Sequence, residues 1–210
     1  MSTKTAMLLV ATTLVACGPS DPTDSSLTAE ATDVAQSALS SRVAADLTFV
    51  RQEEKLARDV YLALNEKWGR PIFSNISQSE QQHMDVMASM LSKYHLADPV
   101  AGAGRGTFVD PLLKGLYTEL VARGQTSLVE ALKVGADIED LDIVDIRTRL
   151  GSSPPSDVTT VYQNLMKASR NHLRNFVKQL TVNGGTYTPT YLTLEEYQHI
   201  ISTPMERGPY

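Results

Sequence analysis

Apolar side chains along this chain recur at steps of three and four residues, the period of a helix with one buried face, and nowhere alternate in the two-residue rhythm of a half-buried strand. From residue 44 to about 68, Leu47, Val50, Ala57, Tyr61, Leu64 and Trp68 form one stripe, which Phe49, Leu56 and Val60 widen on one side. Gly69 and the Arg70-Pro71 step end this first helix. Ser77-Gln78-Ser79-Glu80 fits a capping box and predicts a second helix starting at Ser77, with Met84, Met87, Met90, Leu91 and Tyr94 as its apolar face, stopping before Asp98-Pro99.

A Gly/Ala/Pro loop over 96–109 follows, and Asp110 with Pro111 predicts the N-cap and first position of a short helix ending near Gly124. The third long helix is expected from Ser127 to about Leu150, and the Gly151-Ser152-Ser153-Pro154-Pro155 run breaks it. The fourth runs from about Ser156 to Leu180 through Val161, Leu165, Leu173 and Phe176, and a short helix in the tail is capped by Thr193 and Glu196. Two pairs of long helices on short connections, with one long crossover between the pairs, predict an all-α four-helix bundle over 43–182, with a short helix in the crossover and another in the tail over 183–210.

Ahead of the bundle the pattern changes twice. Residues 18–41 are rich in Ser, Thr, Ala, Asp and Pro with almost no large apolar side chains, too few to offset the entropy of ordering, so 17–42 reads as a flexible tether. Before it, Lys4 and the apolar run Ala6–Ala16 have the layout of an export signal and are too short to span a bilayer. Leu14-Val15-Ala16-Cys17 resembles the lipobox of bacterial lipoproteins. The resemblance implies a signal peptide over 1–16, lipidation of Cys17 and an exported protein anchored to the cell envelope. With Gly18 after the cysteine, the place implied in a Gram-negative cell is the outer membrane, on its periplasmic side.

Composition narrows the function classes. A net charge of −5 over 210 residues gives no cationic surface for phosphates, so nucleic acid is not an expected partner. The single cysteine permits neither an intramolecular disulfide nor a cysteine-based zinc site.

Several ionisable residues fall on the buried faces. Glu80 and His83 stand three apart on the apolar side of the second helix. On the third, the series Leu128, Leu132, Gly135, Glu139, Asp142, Ile146 places two acids in the core stripe, costly without a compensating cation or protons. On the fourth, Val161, Leu165, Ser169, His172 and Phe176 turn His172 inward. On the first, the widened stripe centres nearer Glu53, whereas the Leu47, Val50, Ala57, Tyr61 series passes through Glu54. Glu-x-x-His alone decides nothing, because Glu196-x-x-His199 repeats it where the glutamate reads as the third residue of a capping box. What singles out Glu80 and His83 is their company of inward acids and histidine from the other three helices. Carboxylates able to bridge two ions and histidines able to cap one are the donors of a di-metal site in such a bundle.

The run Glu54-Lys55-Leu56-Ala57-Arg58-Asp59-Val60-Tyr61 resembles the first-helix motif of ferritin-like proteins such as rubrerythrin, and Glu80-x-x-His83 their second-helix ligand pair. The stretch from Phe49 to Phe176, with Phe73-Ser74-Asn75-Ile76 and Ser169-Arg170-Asn171-His172-Leu173, is similar to an uncharacterised bacterial and archaeal ferritin-like domain. The resemblance implies a ferritin-like bundle whose metal ligands are Glu54, Glu80, His83, Glu139 and His172, with Glu53 and Asp142 as additional carboxylates. It implies iron, two ions, with manganese or zinc as substitutes, and a di-iron oxidoreductase of the ferroxidase or peroxidase kind; the alternatives are metal binding without turnover, or a structural or adhesive surface bundle that keeps a vestigial site. One turn before His172, where such sites usually carry a glutamate, this chain has Ala168 and Ser169. Either Asp142 supplies the missing charge, or the site is altered or holds one ion. No Cys-x-x-Cys pair is present for an electron-supplying iron centre, which argues against a full peroxide-reducing cycle. A cage is not expected behind a tether, and a dimer is left open.

Overall fold

In the computed structural model, residues 39–208 are described; the expected signal peptide, Cys17 and the tether up to residue 38 lie outside the described residues. Six helices and no strands make up the described part: α1 (Ser41–Trp68), α2 (Pro71–Lys93), α3 (Pro111–Gly124), α4 (Leu128–Leu150), α5 (Ser156–Val182) and α6 (Leu194–Ser202). The four long helices pair as α1 with α2 and α4 with α5, α3 rides in the crossover against α1 and α4, and α6 packs on α5.

Local chemistry sets most helix ends. Ser40 caps α1 by accepting from Val43 N at 3.2 Å, so residues 41 and 42, expected in the tether, are already helical. At its other end Gly69 takes the left-handed conformation (φ 58°), which only a residue without Cβ adopts freely, and its N–H bonds Asn65 O. Asp110 caps α3 through Leu112 N at 2.8 Å, Ser127 caps α4 through Glu130 N, and Thr193 with Glu196 closes a reciprocal capping box on α6.

The start of α2 departs from the sequence expectation. The helix begins at Pro71, six residues before Ser77, and Ser77 Oγ bonds Ser74 O inside it. Proline fixes φ near its helical value and lacks the N–H that a first turn leaves unpaired, so the Arg70-Pro71 step both ends α1 and opens α2. Glu80 thereby sits near the middle of α2, beyond its first turn.

The bundle core is divided along its length. One apolar cluster is built from Val43, Leu47 and Val50 of α1, Met87 and Leu91 of α2, Ile146 of α4, and Val158, Tyr162 and Leu165 of α5. The other gathers Leu56, Val60, Tyr61, Phe73, Leu132, Ile138, Leu173 and Phe176 with residues of α3 and α6. Between the two clusters stand buried polar residues, Gln52, Glu53 and Glu54 on α1, Glu80 on α2, and Ser169 and His172 on α5, while on α4 Glu139, Asp140 and Asp142 stand between Ile138 and Ile143 of the second cluster.

Polar residues of α1 hold the crossover. Arg51 donates to Met84 O at 2.8 Å and pairs with Asp98 at 2.9 Å, and Gln52 accepts from Asp110 N at 3.2 Å. One helical turn on, the fully buried Lys55 pairs with Asp59 and donates to Gly104 O, while Asp59 accepts from Gly106 N at 2.9 Å and from Arg58. Every charge in this group has a partner, as burial requires.

Asp140 performs the same service on the opposite side. It is fully buried, accepts from the N–H groups of Thr190, Tyr191 and Leu192, and takes the Tyr187 hydroxyl at 2.8 Å. Replacing it by alanine leaves three backbone N–H groups without their acceptor, at about 1–3 kcal/mol for each one kept from water. Asp140→Ala is therefore expected to release residues 187–192 and α6 before the bundle opens. Hydrogen exchange checks this: the amides of 190–192 should lose protection while those of α1 and α5 keep theirs.

Candidate metal centre

In the belt between the two apolar clusters, five side chains from four helices converge in two overlapping sets. The first is Glu54 of α1 with Glu80 and His83 of α2; the second is Glu80 with Glu139 of α4 and His172 of α5. Within each set one donor atom per residue lies within 4.8 Å of the others. Glu80 belongs to both, and its two oxygens divide between them: Oε2 lies 2.6 Å from His83 Nδ1, and Oε1 lies 2.9 Å from His172 Nδ1. The outer carboxylates complete the arrangement, Glu54 Oε2 at 3.1 Å from His83 Nδ1 and Glu139 Oε2 at 3.4 Å from His172 Nδ1. The two imidazoles stack, with ring centroids 5.9 Å apart.

Glu80 and His83 meet because residues three apart share a helix face, and starting α2 at Pro71 aims that face at α1 and α5. Glu139 is fully buried, and its Oε1 accepts the Tyr61 hydroxyl at 2.6 Å. Tyr61 stacks on Phe176, whose ring in turn lies over Gly135. A Cβ at 135 would stand 2.3 Å from a ring carbon of Phe176, so the glycine admits an aromatic ring of α5 and sets how closely α4 approaches it.

Burial and charge oppose each other here. Burial raises the carboxyl of Glu54 to about 7 despite His83, and it raises Glu139 as well, with Glu80 adding to the effect. Burial also acts on Glu80, yet the two flanking imidazoles together outweigh it and hold this carboxyl below its ordinary range. Burial would lower the histidines; the facing carboxylates reverse that, taking His83 well above its usual value and His172 to about 10. Tyr61 is raised far above the ordinary phenol, by burial first and by Glu139 next. The cluster is thus an alternation of negative and positive groups centred on Glu80.

Three buried atoms of the second set, Glu80 Oε1, Glu139 Oε2 and His172 Nδ1, have no hydrogen-bond partner although they face one another at 2.9 and 3.4 Å. Their alignment is not that of a donor and an acceptor. A cation requires donor atoms gathered this closely, and two carboxylates with one imidazole are donors that iron, manganese and zinc all accept. The residues present fit a metal ion.

The sequence-predicted residues divide accordingly. Glu54, Glu80, His83, Glu139 and His172 come together. Glu53 turns toward α4, where Asp145 and Arg149 surround it, with Arg149 Nη2 at 3.9 Å. Asp142 is buried one turn beyond Glu139 and stands outside both sets. Ser169, where a fourth-helix carboxylate was looked for, bonds its own helix at Leu165 O. Tyr61 entered the sequence analysis as part of a motif, and its hydrogen bond to Glu139 needed the packed structure to be seen.

Phenylalanine at 61 keeps the ring and strips Glu139 Oε1 of its donor. Tyr61→Phe is expected to lower the unfolding free energy by about 1–3 kcal/mol, read from urea denaturation with an unchanged m-value.

Comparison with known proteins places the geometry in context. The family described as "Uncharacterized protein domain (DUF2202)" matches residues 44–204. A relative, the uncharacterized protein MJ0754 of Methanocaldococcus jannaschii, is 52% identical over 159 residues, which are 76% of this chain and 86% of the relative. The crystal structure titled as hypothetical protein MJ0754 from that archaeon is similar with a TM-score of 0.79 and 47% identity, covering 87% of this chain and 100% of the other.

Proposed function

We propose, for a chain that belongs to the uncharacterized DUF2202 domain family, that it is a ferritin-like metal-binding protein holding two transition-metal ions on the five converging side chains. The observation that carries this reading is the division of the two Glu80 oxygens between His83 and His172. A carboxylate that faces two histidines in opposite directions, each backed by a second carboxylate, has the form of a bridge between two ions.

Glu54 and His83 would serve one ion, Glu139 and His172 the other, and Glu80 both. Three carboxylates neutralise most of the charge of two divalent ions, and the imidazoles would coordinate as neutral ligands, giving up the protons that the carboxylates now hold on them. Tyr61 keeps Glu139 oriented, as hydrogen-bonded outer residues commonly do for a ligand. Apolar packing on both sides of the belt limits access of water. Iron suits this oxygen-rich donor set with two imidazoles, and a bound iron pair would supply redox chemistry with dioxygen or peroxide, the basis of a ferroxidase or peroxidase-like role.

A second reading, binding without turnover, is favoured by one observation: α5 contributes no carboxylate, since its inward position one turn before His172 is Ser169. Export and anchoring of the bundle to the cell envelope are part of the proposal and rest on the lipobox resemblance at Leu14–Cys17.

Metal analysis tests the assignment. After anaerobic loading with ferrous iron and removal of excess, mass spectrometry is expected to find two ions per chain. His83→Ala should lose one, and Glu80→Ala should lose both because the bridge serves each half. Wild-type protein without bound transition metal, or Glu80→Ala with its full complement, contradicts the reading. An absorption band of an oxo-bridged iron pair, formed with oxygen and missing in Glu80→Ala, favours the redox role over simple binding.

A further inference from the structure

Glu53 and Asp142, which the two ligand sets leave out, line the same small cleft. It lies where α3 covers the groove between α1 and α4, has a volume of about 30 Å³, and is bounded by Leu116 and Leu120 of α3, with Asp137 and the half-exposed Tyr191 among its other walls. About 10–15 Å³ of such space holds one water, so the cleft has room for a single small ion.

Asp142 differs from the buried charges that hold the loops, whereas Glu53 shares the Arg149 guanidinium with Asp46 and Asp145. Lys55, Asp59, Arg51 and Asp140 all have close partners that account for their burial. Asp142 is nine-tenths buried and has no hydrogen bond or ion pair with any described residue. Glu53 is as deeply buried, with its nearest cation, Arg149, at 3.9 Å. An unpartnered carboxylate costs several kcal/mol to bury and persists where something repays it. Asp142 stands one helical turn from Glu139, and Glu53 adjoins Glu54 in sequence.

We infer that Glu53 and Asp142 form an inlet subsite that takes a divalent cation from the surface at Asp137 and Tyr191 and passes it to the Glu80-centred cluster. This rests on the metal-binding reading above. Two carboxylates at a narrow, apolar-walled opening concentrate cations there and raise the rate of uptake. Glu54, beside Glu53 on α1, and Glu139, one turn from Asp142 on α4, offer more donors and an imidazole each, so the ion moves toward the tighter site.

Loading kinetics separate an inlet from a ligand. Cobalt(II) is mixed with the full chain in a stopped-flow instrument, uptake is followed by its visible absorption, and final stoichiometry is measured by mass spectrometry. Glu53→Gln, Asp142→Asn and the double variant keep shape and remove charge; Leu116→Trp narrows the cleft and leaves both acids in place. Each is expected to slow uptake by about tenfold or more, with the same stoichiometry as wild type and, for the charge variants, a weaker dependence on salt. Unchanged rates in all four overturn the inlet. Lower stoichiometry in Glu53→Gln or Asp142→Asn also overturns it, because the residue is then a ligand of the resident ions. If wild type binds cobalt and Glu80→Ala does not, the metal-binding reading stands whatever the rates show; if wild type binds none, both fall together.

Discussion

The bundle is organised around the cost of placing five ionisable side chains where apolar packing would otherwise be continuous. Moving a carboxylate or an imidazolium out of water is expensive unless opposite charge stands within a few ångströms. Here the compensation is mutual, with Glu80 between two histidines and each histidine between two carboxylates. Because the members come from α1, α2, α4 and α5, the alternation exists only when all four helices are in register. The apolar clusters above and below the belt supply the drive to pack, and the belt fixes which helix faces which.

The same logic governs the rest of the polar interior. Lys55 and Asp59 tie the crossover to α1, and Asp140 ties the 187–192 segment to α4. In both cases a buried charge satisfies backbone groups that have no place in a helix or sheet ladder, which is how a loop comes to rest on a core. These charges are structural because their partners are complete. Those around Glu80 leave three buried atoms without a hydrogen bond, and that difference separates a candidate site from a clasp.

Much of this was legible in the chain, and the unreadable parts have physical causes. Helix existence followed from a three-to-four residue period, and ends with a local signal, such as Asp110-Pro111, Ser127 and Thr193 with Glu196, fell where the residues predicted. The start of α2 did not, because the step before a proline marks a helix end and proline at the first position marks a beginning, and here one step does both. The choice between Glu53 and Glu54 depends on about a hundred degrees of rotation in a long helix with a broad apolar face, and packing against α2 decides it. The partners of Asp140 lie fifty residues further on, where no local pattern reaches. The role of Gly135, which admits the ring of Phe176 from α5, depends on a contact between two helices that no local pattern announces.

One carboxylate shared by two triads has a thermodynamic meaning beyond its geometry. A side chain that contributes to two sites cannot be optimised for one without altering the other, so whatever favours one orientation of Glu80 changes the free energy of both halves. By reciprocity the effect of the first half on the second equals that of the second on the first. The two triads are therefore not independent compartments but one coupled unit, whose energetics are properties of the pair.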